Sequence, residues 1–75
     1  MPRGVTPVEV GEAIRKARKA QGLRQDELAG LAGVGNRFLI EVERGKATAQ
    51  IGRVLHLLSV LGCDIEIRLP GEGAR

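Results

Sequence analysis

Seventy-five residues carrying a formal net charge of +3, one Phe, no Trp or Tyr and a single cysteine describe one small domain built on Leu, Ile, Val and Ala side chains. A chain this short buries only about 60% of the surface its unfolded form exposes, so its core is thin and a partner would help it. Cys63 alone closes no internal disulfide and has no Cys or His cluster beside it, no apolar run approaches the ~20 residues of a membrane span, and the Met1-Pro2-Arg3-Gly4 start lacks the apolar stretch of a signal peptide, which leaves a soluble cytoplasmic protein with no metal and no cofactor as the expectation.

Residues 1–5 read as a disordered N-terminus. Thr6, Pro7 and Glu9 then supply a capping hydroxyl, a proline for the first helical position and an acid three residues after the cap, so a first helix is predicted to about Gln21, stopping at Gly22. Val10, Ala13, Ile14 and Ala17 form its apolar stripe, while Arg15, Lys16 and Lys19 point away. Arg18 borders the stripe, where a charged group needs a partner. Between Glu12 and Asp26 lie five basic residues and no acid; the run is either a solvated face or a surface turned toward phosphates.

A second helix fits Gln25 to Ala32, with Leu28, Leu31 and Ala32 inward, and ends in the step Gly33-Val34-Gly35. A third runs from Asn36 to about Arg44 and stops at Gly45; Phe38, Leu39 and Val42 face inward and Arg37, Glu41 and Arg44 lie opposite. Thr48 is positioned to cap a fourth helix that continues to Leu61. Ile51, Val54, Leu55, Leu58 and Leu61 make an ordinary stripe there, but Leu57 and Val60 widen it beyond one face, and the excess reads as contact with a second subunit.

From Cys63 to Leu69 the period changes to two. Cys63, Ile65, Ile67 and Leu69 fall on one side and Asp64, Glu66 and Arg68 on the other, the pattern of a strand. A lone strand leaves its backbone groups unpaired, so its partner is either the same strand of another copy, antiparallel about a two-fold axis, or the segment is a tail laid on the helices. Residues 70–75 read as a disordered tail.

Two short helices joined by a glycine-containing step pack at a steep angle only where small residues meet, and Ala29 and Gly33 meet that need. The ordered set Gln25, Ala29, Gly33, Val34, Leu39 and Val42, followed by Glu43-Arg44-Gly45-Lys46, identifies a helix-turn-helix within residues 6–62. Residues 10–62 resemble the Cro/C1-type (phage repressor) helix-turn-helix family. Matching stretches are Gly22-Leu23-Arg24-Gln25-Asp26-Glu27-Leu28-Ala29, Leu31-Ala32-Gly33-Val34-Gly35 and Glu43-Arg44-Gly45-Lys46. Gly45-Lys46-Ala47-Thr48-Ala49, the leucine-rich fourth helix and the following strand further resemble the HipB-type antitoxins, whose C-terminal strands pair across a dimer. The fold implied is mainly α: a four-helix lambda-repressor-like domain with one C-terminal β-strand pairing across a homodimer.

The resemblance implies a role for each matching position. Gln25 opens the second helix, where an amide bonds a DNA phosphate. Asn36 and Arg37 start the helix that enters the major groove, where Asn suits adenine and Arg suits guanine, although Arg37 could instead grip phosphate. Ile40 lies beside them, either against a thymine methyl or at the groove edge. Glu41 can face DNA, but a carboxylate repels phosphate and only accepts from a base such as cytosine, so its role stays open. Arg24, Arg44 and Lys46 are phosphate contacts; Arg24 departs from the Ser or Thr common at that cap, which weakens the cap. Arg18 and Glu43 are implied to form a partly buried ion pair linking the first and third helices. Leu57, Val60, Cys63, Ile65, Ile67 and Leu69 are expected at the dimer interface.

His56 projects alone from the polar side of the fourth helix, and no nucleophile and base, acid pair or phosphate loop gives catalysis a foothold. The expected function is a dimeric repressor in the bacterial cytoplasm, associated with the nucleoid. It would read two half-sites of a near-palindromic operator on double-stranded DNA, about 34–36 Å apart. The antitoxin version also binds a HipA-like toxin kinase and represses the shared operon. The rival reading is a protein-interaction module in which the fold only presents a surface.

Overall fold

The N-terminal cap fixes where the chain enters its first helix. The Thr6 hydroxyl accepts from the Glu9 amide at 3.1 Å, and the Glu9 carboxylate accepts from the Thr6 amide at 3.0 Å. Two backbone donors that the helix would orphan are thereby satisfied reciprocally. A computed structural model describes residues 5–71 and places four helices there: α1 (Pro7–Ala20), α2 (Gln25–Ala32), α3 (Asn36–Glu43) and α4 (Ile51–Val60). The disorder expected of 1–5 and 70–75 falls mostly outside the described residues; of those positions Val5, Pro70 and Gly71 are described, and all are exposed.

Each helix stops by a turn whose geometry the following residues supply. After α2, Gly33 takes a left-handed φ of 67°, which lets the Gly33 amide reach the Gly30 carbonyl and the Val34 amide reach that of Ala29. After α3, Gly45 does the same at φ 89°: its amide bonds the Val42 carbonyl at 2.9 Å and the Lys46 amide returns to the Glu41 carbonyl at 3.1 Å. The chain therefore doubles back over the last turn of α3.

Ile14, Leu28, Leu39 and Leu57 are fully buried, and Ala29, Ala32, Val42, Leu58 and Leu61 complete the core. α3 packs against both α1 and α2, and α2 also meets α4. Gly11 permits the first of these contacts. A Cβ there would stand 2.9 Å from the Glu43 carbonyl oxygen and closer still to that of Val42, so no larger residue fits without displacing backbone.

Several sequence expectations change. Leu57 is not at a surface awaiting a partner: it is 0% exposed, inside the subunit core. The buried face of α4 is centred on Val54, Leu57, Leu58 and Leu61, and this rotation turns Ile51 and Leu55 outward, at 72% and 45% exposure. The excess apolar surface is present, but these two residues carry it; Val60 is half-buried against the core. Leu31 and Ala13, expected inward, are exposed. α4 also starts later than Thr48 implied: Thr48 lies in the preceding turn, and Gln50 occupies the cap without a side-chain bond.

Among the described residues there is no strand. The Cys63 amide bonds the Leu58 carbonyl at 2.8 Å, and residues 64–69 are irregular, because a ladder needs a second segment and the described residues offer none. Cys63 packs against the core, whereas Ile65, Ile67 and Leu69 are exposed.

Candidate nucleic-acid interface

One buried carboxylate sets the relative placement of three helices. Arg18 donates from Nε to Glu43 Oε2 at 2.7 Å and from Nη2 to Glu43 Oε1 at 3.0 Å, a two-pronged pair whose side chains are 8% and 2% exposed. The remaining guanidinium nitrogen, Nη1, donates to the Leu23 carbonyl at 2.8 Å. Gln25 adds Nε2 to Glu43 Oε1 at 3.0 Å. α1, the start of α2 and the end of α3 thus converge on Glu43, and among the described residues no buried side-chain polar atom lacks a partner. The pairing follows the expectation for Arg18 and Glu43. Gln25 differs from its expected role in one respect: it is half-buried and gives one amide donor to Glu43.

With Leu39, Val42 and Glu43 turned inward, the opposite face of α3 is fixed. Arg37, Glu41 and Arg44 occupy that face, with Ile40 at its edge and Asn36 on the first turn. Arg37 projects into solvent, with its side chain 90% exposed. Glu41 lies one turn on, its Oε2 3.6 Å from Arg37 Nε and its Oε1 accepting from Lys46 Nζ at 3.1 Å. The Lys46 hydrogen bond and charge, with a smaller contribution from Arg37, hold the Glu41 carboxyl below the usual carboxylate range. Arg37, Glu41 and Lys46 therefore form one charged cluster around the Gly45 turn.

Arg24 lies apart, at the start of α2. Its amide donates to Glu27 Oε1 at 2.8 Å, half of a capping box; an arginine side chain accepts nothing, so the other half is missing. The guanidinium contacts Asp26 at 3.1 Å and Glu27 at 3.6 Å, and the hydrogen bond from Arg24 draws the Asp26 carboxyl below its usual range. These exposed pairs orient the side chains and add little to stability.

Three contacts were not foreseen. Gln21 Nε2 donates to the Leu61 carbonyl at 2.8 Å, tying the end of α1 to the end of α4. The Arg53 guanidinium lies 5.7 Å from the centre of the Phe38 ring and covers the flank of α3. Gly11 sits on the backbone of α3, and a glycine inside an otherwise sound helical pattern was the available signal. Away from α3, an open groove of about 920 Å³ runs between α1 and the C-terminal arm, lined by Val5, Val10, Ala13, Leu58, Ile65 and Ile67 among others. His56 is exposed on α4, and no helix among the described residues is long and apolar enough to cross a membrane.

The helix-turn-helix family profile matches residues 14–67. An uncharacterized HTH-type transcriptional regulator, y4mF, of Sinorhizobium fredii (strain NBRC 101917 / NGR234) is 60% identical over 67 residues, which span 89% of this chain and 88% of the relative. Among solved structures, the restriction-modification controller protein C.AhdI of Aeromonas hydrophila is 33% identical, with a TM-score of 0.69 over 77% of this chain and 88% of that one. The HipB chain of a HipB–O4 20mer complex shares the fold at 17% identity, with a TM-score of 0.78 over 93% of this chain and 99% of its own. The buried Arg18–Glu43 lock, the exposed face of α3 and these relatives agree: the chain belongs to the Cro/C1-type helix-turn-helix family of transcriptional regulators and has its DNA-binding fold.

Proposed function

We propose that the protein is a sequence-specific, dimeric transcriptional repressor. The observation that carries this reading is the placement of α3: Arg37 stands exposed on its outward face and Asn36 on its exposed first turn, while Glu43, at the other end and turned inward, anchors the helix to α1 and α2. A reading helix must be held rigidly by contacts that DNA does not use. Asn36 and Arg37 contact base edges, Ile40 lies at the groove edge or against a thymine methyl, and Arg24, Arg44 and Lys46 neutralise phosphates. Gln25 has a second amide donor to offer a phosphate.

Dimerisation uses the arm and the outward residues of α4. Ile65, Ile67 and Leu69 carry an alternating apolar edge with unpaired backbone, and Ile51 and Leu55 add exposed apolar surface. A second copy's arm, antiparallel, would satisfy both. Two α3 helices would then meet half-sites one helical turn apart.

The test is a binding series on the DNA upstream of the protein's own gene. Wild type should retard it with steep salt dependence; Arg37→Ala should flatten base preference, and Lys46→Ala should weaken binding to all sequences alike. No retarded complex at low salt would favour the protein-interaction reading. The antitoxin assignment extends the repressor reading: the arm and the leucine-rich α4 suit it, and a chain of the same fold occurs in a HipA-HipB-O2-O3 complex. A kinase-like product of the neighbouring gene should then co-purify with the protein and enhance repression; a neighbour without that activity refutes it. The site of action is the bacterial cytoplasm, on the nucleoid.

A further inference from the structure

We propose that Glu41 is a specificity-determining residue of the α3 surface that works chiefly by exclusion, holding Arg37 and Lys46 back from DNA that offers no base donor in their place. The inference rests on the DNA-binding reading above. Its starting point is an oddity of charge: the one acid on the outward face of α3 lies among the cations that should meet a polyanion.

The arrangement is built by the backbone. Gly45 turns the chain at φ 89° and the Lys46 amide bonds the Glu41 carbonyl at 3.1 Å, so the Lys46 side chain starts directly over the residue whose carboxylate it meets. Each carboxylate oxygen has its own cation, Lys46 Nζ at 3.1 Å on Oε1 and Arg37 Nε at 3.6 Å on Oε2. Arg37 stands one helical turn before Glu41, the spacing at which side chains on a helix meet. With its side chain 34% exposed, Glu41 is available to a molecule docking on this face.

When a duplex docks, Lys46 turns to a phosphate and Arg37 to a guanine edge or a phosphate. Both changes take a counterion from Glu41 and leave its charge in the groove. Phosphate oxygens are acceptors only and repel it. A cytosine N4 or adenine N6 amino group in the major groove donates to it and restores a partner. The penalty therefore falls on every sequence lacking an amino group at that place, and a matched site escapes it. Discrimination gained by penalising the wrong partner is the expected use of such a charge.

The test uses the full chain as wild type and as Glu41→Gln, with Glu41→Ala as a second variant in case glutamine makes contacts of its own. Thermal unfolding should change little in both, since Glu41 lies at the surface. Each protein is put through selection from a random-sequence duplex library. Binding is then measured on the duplex selected by wild type and on the unselected pool. Removing the charge should tighten binding to the pool about three- to tenfold. It should reduce the ratio of selected to pool affinity at least about fivefold, the value of one lost base-pair preference. A cytosine or adenine preference present in the wild-type selection should disappear from both variants. An unchanged ratio, or equal weakening on both DNAs, overturns the proposal while leaving DNA binding intact. Failure of wild type to enrich any sequence overturns the DNA-reading function itself, and this proposal with it.

Discussion

Replacing Glu43 by glutamine preserves the shape of the side chain and removes its charge, which isolates the contribution of the buried pair. In the folded protein the Arg18 guanidinium, 8% exposed, would then face a neutral amide that can accept at one atom where the carboxylate accepted at two. Removing one partner of a buried pair costs about 3–5 kcal/mol, most of it the uncompensated charge left behind. A 75-residue domain has a total stability of roughly 4–11 kcal/mol. At about 4–8 °C per kcal/mol for a domain of this size, the melting temperature should fall by roughly 12–40 °C, and part of the population should unfold at ambient temperature. Circular dichroism at 222 nm against temperature and urea, at fixed protein concentration, measures the change. The double variant Arg18→Met with Glu43→Leu should recover much of the loss, because neither charge then remains buried. A loss below about 1 kcal/mol for Glu43→Gln, or a double variant no more stable than Glu43→Gln, would refute the reasoning.

Gly11→Ala should destabilise by about 1–3 kcal/mol despite the better helix propensity of alanine, because its methyl group meets the Val42 and Glu43 carbonyls; an unchanged or raised melting temperature would show that α1 moves aside freely. The Glu41 carboxyl should titrate below the ordinary range in an NMR pH series, and Lys46→Gln should raise its midpoint. Because the folded value is depressed, the Lys46–Glu41 tether is present above the ordinary carboxylate pKa and is lost as pH falls through the depressed one. Ile65→Asp with Ile67→Asp should convert the protein to a monomer by light scattering. The same pair of changes should leave the helical signal intact, since both side chains are exposed and outside the core.

The helix-turn-helix was legible because its signals are local. Thr6 and Glu9 mark one helix start, and Gly33 and Gly45 mark two helix ends with left-handed backbone that few other residues adopt. The Arg18–Glu43 pair was legible only through the family likeness; from the residues alone Arg18 showed a need for a partner, 25 positions away in the sequence, without showing which. The phase of α4 was not legible. Its apolar residues occupy most of the circumference, so periodicity could not decide whether Leu57 or Leu55 faced the core, and the packing of α4 on its neighbours decided it. For the arm, alternation predicted a strand where the subunit has none among its described residues, because whether such a segment becomes a strand depends on a second one to pair with. The charged cluster around Glu41 was half visible: Arg37 and Glu41 have helical spacing, while Lys46 joins them only through the turn at Gly45.

Because α1 and the start of α2 both donate to the carboxylate that α3 carries, the three helices are tied at one point, and the orientation of α3 within a subunit is set by that lock. In a two-subunit complex, compliance must come from somewhere else. The chain supplies it beyond α4: the Cys63 amide still bonds the Leu58 carbonyl at 2.8 Å, but from Asp64 to Leu69 the backbone makes no hydrogen bond among the described residues. In the proposed dimer, tolerance for half-sites set slightly too near or too far would therefore be governed by the stiffness of that segment, and changing its length should retune spacing while leaving the preferred bases as they are.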